Sequence, residues 1–147
     1  MSAEPSITIK QVGNFVFTVD FGEHLADLLV DEAVPIGGGT GPSPEQLLIA
    51  GVANCLSASL VFALGKFRQD GQGVEAEARC RIDRNAEGRL RIFGIDVELR
   101  LGALAENMPR LDRVMEQFER FCTVSESVKA GVPVEVVVRD AAGIRLK

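Results

Sequence analysis

The sequence is poor in the residues that most often build metal sites, cross-linked folds and aromatic surfaces. Its 147 residues include no tryptophan, no tyrosine, one histidine (His24) and three cysteines. A single histidine, with no C-x-x-C or H-x-x-x-H spacing, argues against a metal site, and we expect no cofactor. An odd number of cysteines without framework spacing favours a reducing compartment over a disulfide-stapled secreted fold.

Clusters of basic residues are missing as well. The formal net charge is −5 and the isoelectric point is about 4.9, which argues against a nucleic-acid partner. The opening MSAEPSITIK has no basic segment followed by an apolar run, so we expect no secretory signal and a cytoplasmic location. The hydrophobic content of 46% suits the core of one domain over residues 1–147.

Charged residues are also absent between Glu45 and Lys66, a length that approaches the roughly 20 residues of a membrane span. Four polar side chains interrupt this stretch: Gln46, Asn54, Ser57 and Ser59. A helix that is apolar on all sides is typical of a protein core. The sequence therefore predicts a buried central helix and no membrane partner.

The first third of the sequence predicts three short strands, in SITIKQV, FVFTVDF and ADLLVDE, separated by glycine-containing turns. A glycine-rich loop follows them. Ser43 then suits the N-cap of a helix in which Pro44 takes the first position and Glu45 lies in the first turn. The central helix is predicted to run over residues 44–67.

The second half begins with a change of period. Apolar and polar residues alternate over residues 74–83 and 93–101, which predicts a long antiparallel hairpin. From Met108 to Cys122 the apolar residues recur at helical spacing, and Ser125 is predicted to cap a further short turn before the last strand, VPVEVVV. Together these elements predict an α+β domain with an antiparallel sheet, a long buried central helix and a second amphipathic helix.

The central helix carries more apolar side chains than one sheet and one amphipathic helix can cover. They point in nearly every direction: Leu47, Leu48, Ile49, Val52, Leu56, Leu60, Val61, Phe62 and Leu64. We therefore expect a homodimer in which the partner covers the remaining face. The alternative is a monomer whose long N-terminal loop folds over the helix.

Several roles are open to the cysteines. Cys80 lies on the apolar side of a predicted strand and is expected to be a small core residue. A structural metal held by the cysteines and His24, or acyl transfer by a Cys-His pair, lacks the usual spacing. Redox chemistry needs neither metal nor histidine, because one thiolate attacks a peroxide and a second thiol condenses with the resulting sulfenic acid. Taken singly, Cys55 and Cys122 are each more typical of inert packing residues.

Two segments resemble the OsmC/Ohr family of thiol peroxidases. GPSPEQLLIAGVANC ends at Cys55, and FCTVSESVKAGVPVEV later in the chain contains Cys122. The earlier VDEAVPIGGG and the F-x-V-D strand fit the same family, so the resemblance covers almost the whole chain in order. It implies an OsmC-like fold that forms an intertwined homodimer with two sites at the subunit interface.

The resemblance also implies roles for single residues. Cys55 takes the place of the peroxidatic cysteine and Cys122 that of the resolving cysteine, while Glu45 matches a glutamate that helps to position an activating arginine. The implied partners are an organic or inorganic hydroperoxide and a cellular dithiol reductant such as a lipoyl protein. Ten residues of helix rise about 15 Å and end on a different face. Any direct action of Glu45 on Cys55 is therefore expected across the dimer or through an intermediary.

One part of the family pattern is absent, namely the arginine of the N-terminal strands. The first arginine of this sequence is Arg68, and the candidate replacements are Lys10, His24 and Arg120. The missing arginine leaves a second function open. In it, the same scaffold binds a small apolar or electrophilic molecule, or responds to redox state, without turnover.

Overall fold

The computed structural model describes residues 2–147. Contacts within the chain define two compact units, of which the first ends at Leu48 and the second spans Ile49–Lys147. The single domain expected over residues 1–147 stays a prediction. The α+β fold class is confirmed, with two three-stranded sheets and three α-helices among the described residues.

The first unit contains an antiparallel sheet of three short strands, as predicted. These are β1 (Thr8–Gln11), β2 (Phe17–Asp20) and β3 (Leu28–Val30), and β2 lies in the centre. A tight turn joins the first two strands, in which the Val12 N–H donates to the carbonyl of Val16 at 2.9 Å.

The central helix, α1 (Pro44–Lys66), begins where the sequence predicts. Ser43 Oγ accepts a hydrogen bond from the Gln46 N–H at 3.3 Å, and the side-chain oxygen of Gln46 accepts one from the Ser43 N–H at 2.9 Å. This reciprocal capping box satisfies two backbone donors that a helix start otherwise leaves free. The helix ends one residue before the predicted end at Phe67.

One stripe of α1 is buried within the second unit. Its residues recur at intervals of three and four: Val52, Leu56, Ser59, Leu60, Ala63 and Leu64. On the other side, Val61 and Phe62 are 56% and 60% exposed. By length and mean hydropathy α1 would also pass for a membrane span, but a buried stripe of this kind is typical of a core helix. The sequence predicts that α1 is buried on all sides. Within this chain only one stripe of the helix is buried.

The second unit is built on a long antiparallel hairpin of β4 (Val74–Arg84) and β5 (Leu90–Leu101), as predicted. The third strand, β6 (Val134–Arg139), pairs with β5 in parallel. The prediction of an antiparallel sheet is therefore correct for β4 with β5 and wrong for β5 with β6. The chain between β5 and β6 is helical and long enough for the crossover that a parallel pair requires.

The amphipathic segment after β5 is helical but divided. It consists of α2 (Leu111–Gln117), a 3₁₀ turn (Phe118–Phe121) and α3 (Thr123–Val128). The break falls at Cys122, whose backbone is extended (φ −84°, ψ 95°). Ser125 lies inside α3 and is not its cap, which corrects the expectation from the sequence.

A candidate dithiol site

Cys55 and Cys122 reach the site from different elements of the second unit. Cys55 lies in the middle of α1 and is half-buried, whereas Cys122 joins the 3₁₀ turn to α3 and is fully buried. The extended backbone of Cys122 interrupts the helical path at this residue, so its side chain is free to serve as the N-cap of α3.

The two thiol groups lie close enough for Cys55 to affect the ionisation of Cys122. Burial raises the pKa of the Cys122 thiol, and the hydrogen bond and charge of Cys55 raise it further. The pair is therefore placed for reversible disulfide chemistry, in which one sulfur attacks the other after oxidation.

Ser125 contacts Cys122 through its backbone and its hydroxyl. The Ser125 N–H donates to Cys122 Sγ at 3.3 Å, so that the cysteine sulfur caps α3. The hydroxyl lies close enough to oppose the rise in the pKa of Cys122. It has no well-directed hydrogen bond, however, and within residues 2–147 it is the one fully buried side-chain oxygen or nitrogen without a partner.

Lys129, at the C-terminal end of α3, is a cation whose charge interacts with Cys122. Partial burial works against its charge, but a 2.9 Å ion pair with Glu126 and the charges of Glu119 and Cys122 raise the pKa of Lys129. Glu119 is in turn paired with Lys147 at 2.9 Å. These two ion pairs and the charge of Glu119 on Lys129 form a small network of alternating charges on α3 and the preceding turn.

An aromatic pair lies next to the dithiol in the chain. The rings of Phe62 and Phe121 meet edge to face, with centroids 5.1 Å apart. The Lys66 ammonium lies 5.2 Å from the Phe121 centroid and donates to the side-chain oxygen of Gln117 at 3.1 Å. Because Phe121 directly precedes Cys122, this cluster provides an apolar surface at the edge of the site.

The other residues singled out in the sequence are not part of this cluster. Cys80, expected in the core, is only half-buried on β4. Glu45 occupies the first turn of α1, ten residues of helix before Cys55. Lys10 is exposed on β1, and His24 is exposed in a turn with φ 71°.

Arg120 is exposed on the 3₁₀ turn. Lys129 and Ser125 were not singled out as site residues in the sequence. Ser125 lies three residues after Cys122, the spacing at which an N-cap side chain accepts from the backbone, and this was the signal available. Within residues 2–147 no group of three or more histidine, cysteine or acidic side chains is arranged to hold a metal ion.

Comparison with known proteins gives a consistent result. The model of the OsmC-like protein family matches residues 37–137, more than half of the chain. An organic hydroperoxide resistance protein from Xanthomonas axonopodis pv. citri is 28% identical over 103 residues, which is 69% of each chain.

Solved structures are similar over nearly the whole chain. An OsmC-like protein of unknown function from Vibrio cholerae superimposes with a TM-score of 0.78 at 14% identity, covering 93% of this chain and 99% of the other. An organic hydroperoxide resistance protein from Legionella pneumophila gives 0.71 at 21% identity, covering 93% and 98%. At these identities the likeness is one of fold.

Proposed function

Since this chain belongs to the OsmC-like protein family, as its two cysteine motifs predicted, we propose that it is a thiol peroxidase that reduces organic or inorganic hydroperoxides. The observation that carries the proposal is that the Cys55 and Cys122 thiols are close enough for one to affect the pKa of the other. The relatives in Xanthomonas and Legionella are named organic hydroperoxide resistance proteins, and reduction of hydroperoxides by a pair of thiols is consistent with that name.

The reaction divides into three steps. The Cys55 thiolate attacks the terminal peroxide oxygen, the O–O bond breaks, and the products are a Cys55 sulfenic acid and an alkoxide that takes up a proton. Cys122 then attacks the Cys55 sulfur, forming the disulfide and releasing water. A cellular dithiol such as a lipoyl protein reduces this disulfide and is itself oxidised.

The roles of the two cysteines follow from their exposure. Half-buried Cys55 is within reach of a peroxide, whereas fully buried Cys122 is reached only by the neighbouring sulfur. The cluster around Phe62 and Phe121 favours an organic peroxide with an apolar body. We further propose a homodimer in the cytoplasm, with Glu45 acting on the partner's site.

A stoichiometric assay with cumene hydroperoxide tests the function. The wild-type protein is expected to consume peroxide and lose two hydrogens in mass, mapped to a Cys55–Cys122 link. Cys122→Ser is expected to leave a sulfenic acid at Cys55 that dimedone traps, and Cys80→Ser serves as the control with an intact pair. If wild type consumes no more peroxide than Cys55→Ser, the peroxidase function is wrong.

A second function is favoured by the absence of any arginine before Arg68. Without a cation at Cys55, the pair would form its disulfide slowly and report redox state, or hold a small electrophilic ligand. Repeated turnover separates the two functions. A peroxidase consumes many equivalents of peroxide when a dithiol such as dihydrolipoamide is supplied, whereas a sensor consumes about one.

A further inference from the structure

The buried Cys122 thiol has to lose its proton before it can attack another sulfur. Only the thiolate is nucleophilic. Burial and the neighbouring Cys55 both raise the pKa of Cys122, which lowers the thiolate fraction at neutral pH. The surroundings of this sulfur therefore determine how quickly a sulfenic acid at Cys55 is resolved.

The Ser125 hydroxyl is the nearest group without a function of its own. The residue is fully buried, its oxygen has no hydrogen-bond partner, and its own backbone N–H bonds to Cys122 Sγ at 3.3 Å, so the hydroxyl lies beside this side chain. A buried hydroxyl without a partner costs stability and calls for an explanation. A thiolate at Cys122 would be a charged acceptor for this O–H, and a charged acceptor forms a stronger hydrogen bond than a neutral thiol.

Lys129 brings a positive charge to the same side. It is the C-terminal neighbour of α3, whereas Cys122 caps the N-terminus of the same helix, and the charges of the two residues interact. Helical side chains lean towards the N-terminus, which directs the Lys129 stem towards Cys122. Its side chain is 30% exposed, and its ammonium pairs with Glu126 at 2.9 Å, three residues closer to the N-terminus of α3.

We propose that the Ser125 hydroxyl and the Lys129 ammonium together stabilise the Cys122 thiolate and thereby prepare it to resolve the oxidised partner cysteine. This inference rests on the proposed peroxidase function for its purpose, but the thiolate itself can be measured without any peroxide. In the step concerned, the Cys122 sulfur forms a bond to the Cys55 sulfur as the S–OH bond breaks. The proton from Cys122 leaves with the hydroxide as water.

The charged and titratable groups around Cys122 act in both directions. Cys55 from α1 opposes the thiolate, and the carboxylates of Glu126 on α3 and Glu119 on the preceding 3₁₀ turn interact with Lys129. The charge of Lys129 interacts with Cys122 and favours the thiolate. Lowering the pKa of a thiol that lies above the ambient pH gains more thiolate than it loses in nucleophilicity, because the Brønsted coefficient is only about 0.4–0.5.

The first experiment measures the thiolate directly. In a Cys55→Ser/Cys80→Ser background Cys122 is the only thiol, and its titration is followed by ultraviolet absorbance and by the pH dependence of alkylation. Adding Ser125→Ala or Lys129→Gln is expected to move the titration to higher pH. Ser127→Ala, an exposed serine on the same helix, is the matched control and is expected to leave it unchanged.

The second experiment follows resolution after one equivalent of cumene hydroperoxide in the otherwise wild-type chain. Ser125→Ala is expected to slow disulfide formation on the order of fivefold at neutral pH and to let the Cys55 sulfenic acid accumulate. The difference in rate between Ser125→Ala and the wild type should shrink as the pH is raised. Ser125→Thr, which keeps the hydroxyl, should restore most of the rate.

The outcomes separate the two proposals. An unchanged Cys122 titration in both Ser125→Ala and Lys129→Gln overturns the thiolate site, whatever the peroxide assay gives. A shifted titration in a protein that consumes no peroxide supports the thiolate site and overturns the peroxidase function instead. If Ser125→Ala fails to fold, the partly exposed Lys129→Gln decides by the same titration.

Discussion

Asp31 is a buried carboxylate that organises the glycine-rich loop between β3 and α1. It is 2% exposed and accepts hydrogen bonds from the backbone N–H groups of Glu32, Gly38 and Thr40 and from the Thr40 hydroxyl. The Thr40 bonds, backbone first, hold the pKa of Asp31 below its ordinary value of 3.8. Gly37 passes so close to this carboxylate that a side chain at that position would collide with it.

Replacing Asp31 tests this loop through acid stability. The pKa of Asp31 is lower in the folded protein than in the unfolded chain. Its contribution to the free energy of unfolding is therefore present above about pH 4 and is lost as the pH falls through the lower, folded pKa. Asp31→Asn is expected to lower the free energy of unfolding at pH 7 and to flatten its fall between pH 5 and pH 2 in urea titrations. Asp27→Asn, at an exposed position of the same unit, is the control. Equal acid sensitivity in the two variants would contradict the argument.

For the site, the sequence led to the two cysteines that we propose react, and not to Ser125 and Lys129. Cys55 and Cys122 were identified by motif, and the structure brings their thiols together. Ser125 and Lys129 were missed because their relation to Cys122 depends on a short helix that starts at the cysteine itself. A helix of six residues shows too little periodicity for its first residue to be predicted from the sequence.

Among the secondary-structure elements, α1 was predicted almost to the residue because its start is fixed by local chemistry. Ser43, Pro44 and Gln46 specify the first turn without help from the rest of the chain. The parallel pairing of β6 was not predicted, since alternation shows which side chains share a face but not the direction of the neighbouring strand. That direction is set by the crossover through α2 and α3.

The capping box gives a prediction for α1. Ser43→Ala removes the oxygen that accepts from the Gln46 N–H and is expected to lower the free energy of unfolding by about 1 kcal/mol. Ser57→Ala is the matched control within the same helix, where a serine that bonds back to the Ala53 carbonyl is exchanged for a better helix former. Chemical denaturation measures both, and a larger loss for Ser57→Ala would contradict the capping role.

For the molecule as a whole, the exposed apolar residues of the second unit are the main argument for self-association. Val61 and Phe62 on α1 are more than half exposed, and Ile82 and Phe93 on the hairpin are 45% and 47% exposed. Several large apolar side chains on one unit are more than a monomer commonly leaves in water. A second copy that covers α1 would complete the burial that the sequence predicted for this helix.

Light scattering coupled to size exclusion tests the dimer. The wild-type chain of 15.8 kDa is expected to elute with about twice that mass. Val61→Asp places a charge in the proposed contact and is expected to weaken the dimer on the order of tenfold or more. Glu116→Gln on α2 is the surface control. A wild-type chain that remains at 15.8 kDa throughout the accessible concentration range would contradict the dimer.

The cap of α3 has a consequence for the energetics of electron transfer. The Cys122 sulfur that accepts the Ser125 N–H is the same atom that would enter a disulfide with Cys55. A thiolate at Cys122 accepts this hydrogen bond more strongly than a disulfide sulfur does, so the cap favours the reduced pair to the extent that Cys122 is ionised. By thermodynamic linkage, the free energy that the cap contributes to the reduced protein raises the reduction potential of the pair. One short helix thus sets how readily the oxidised protein is returned to its reduced state.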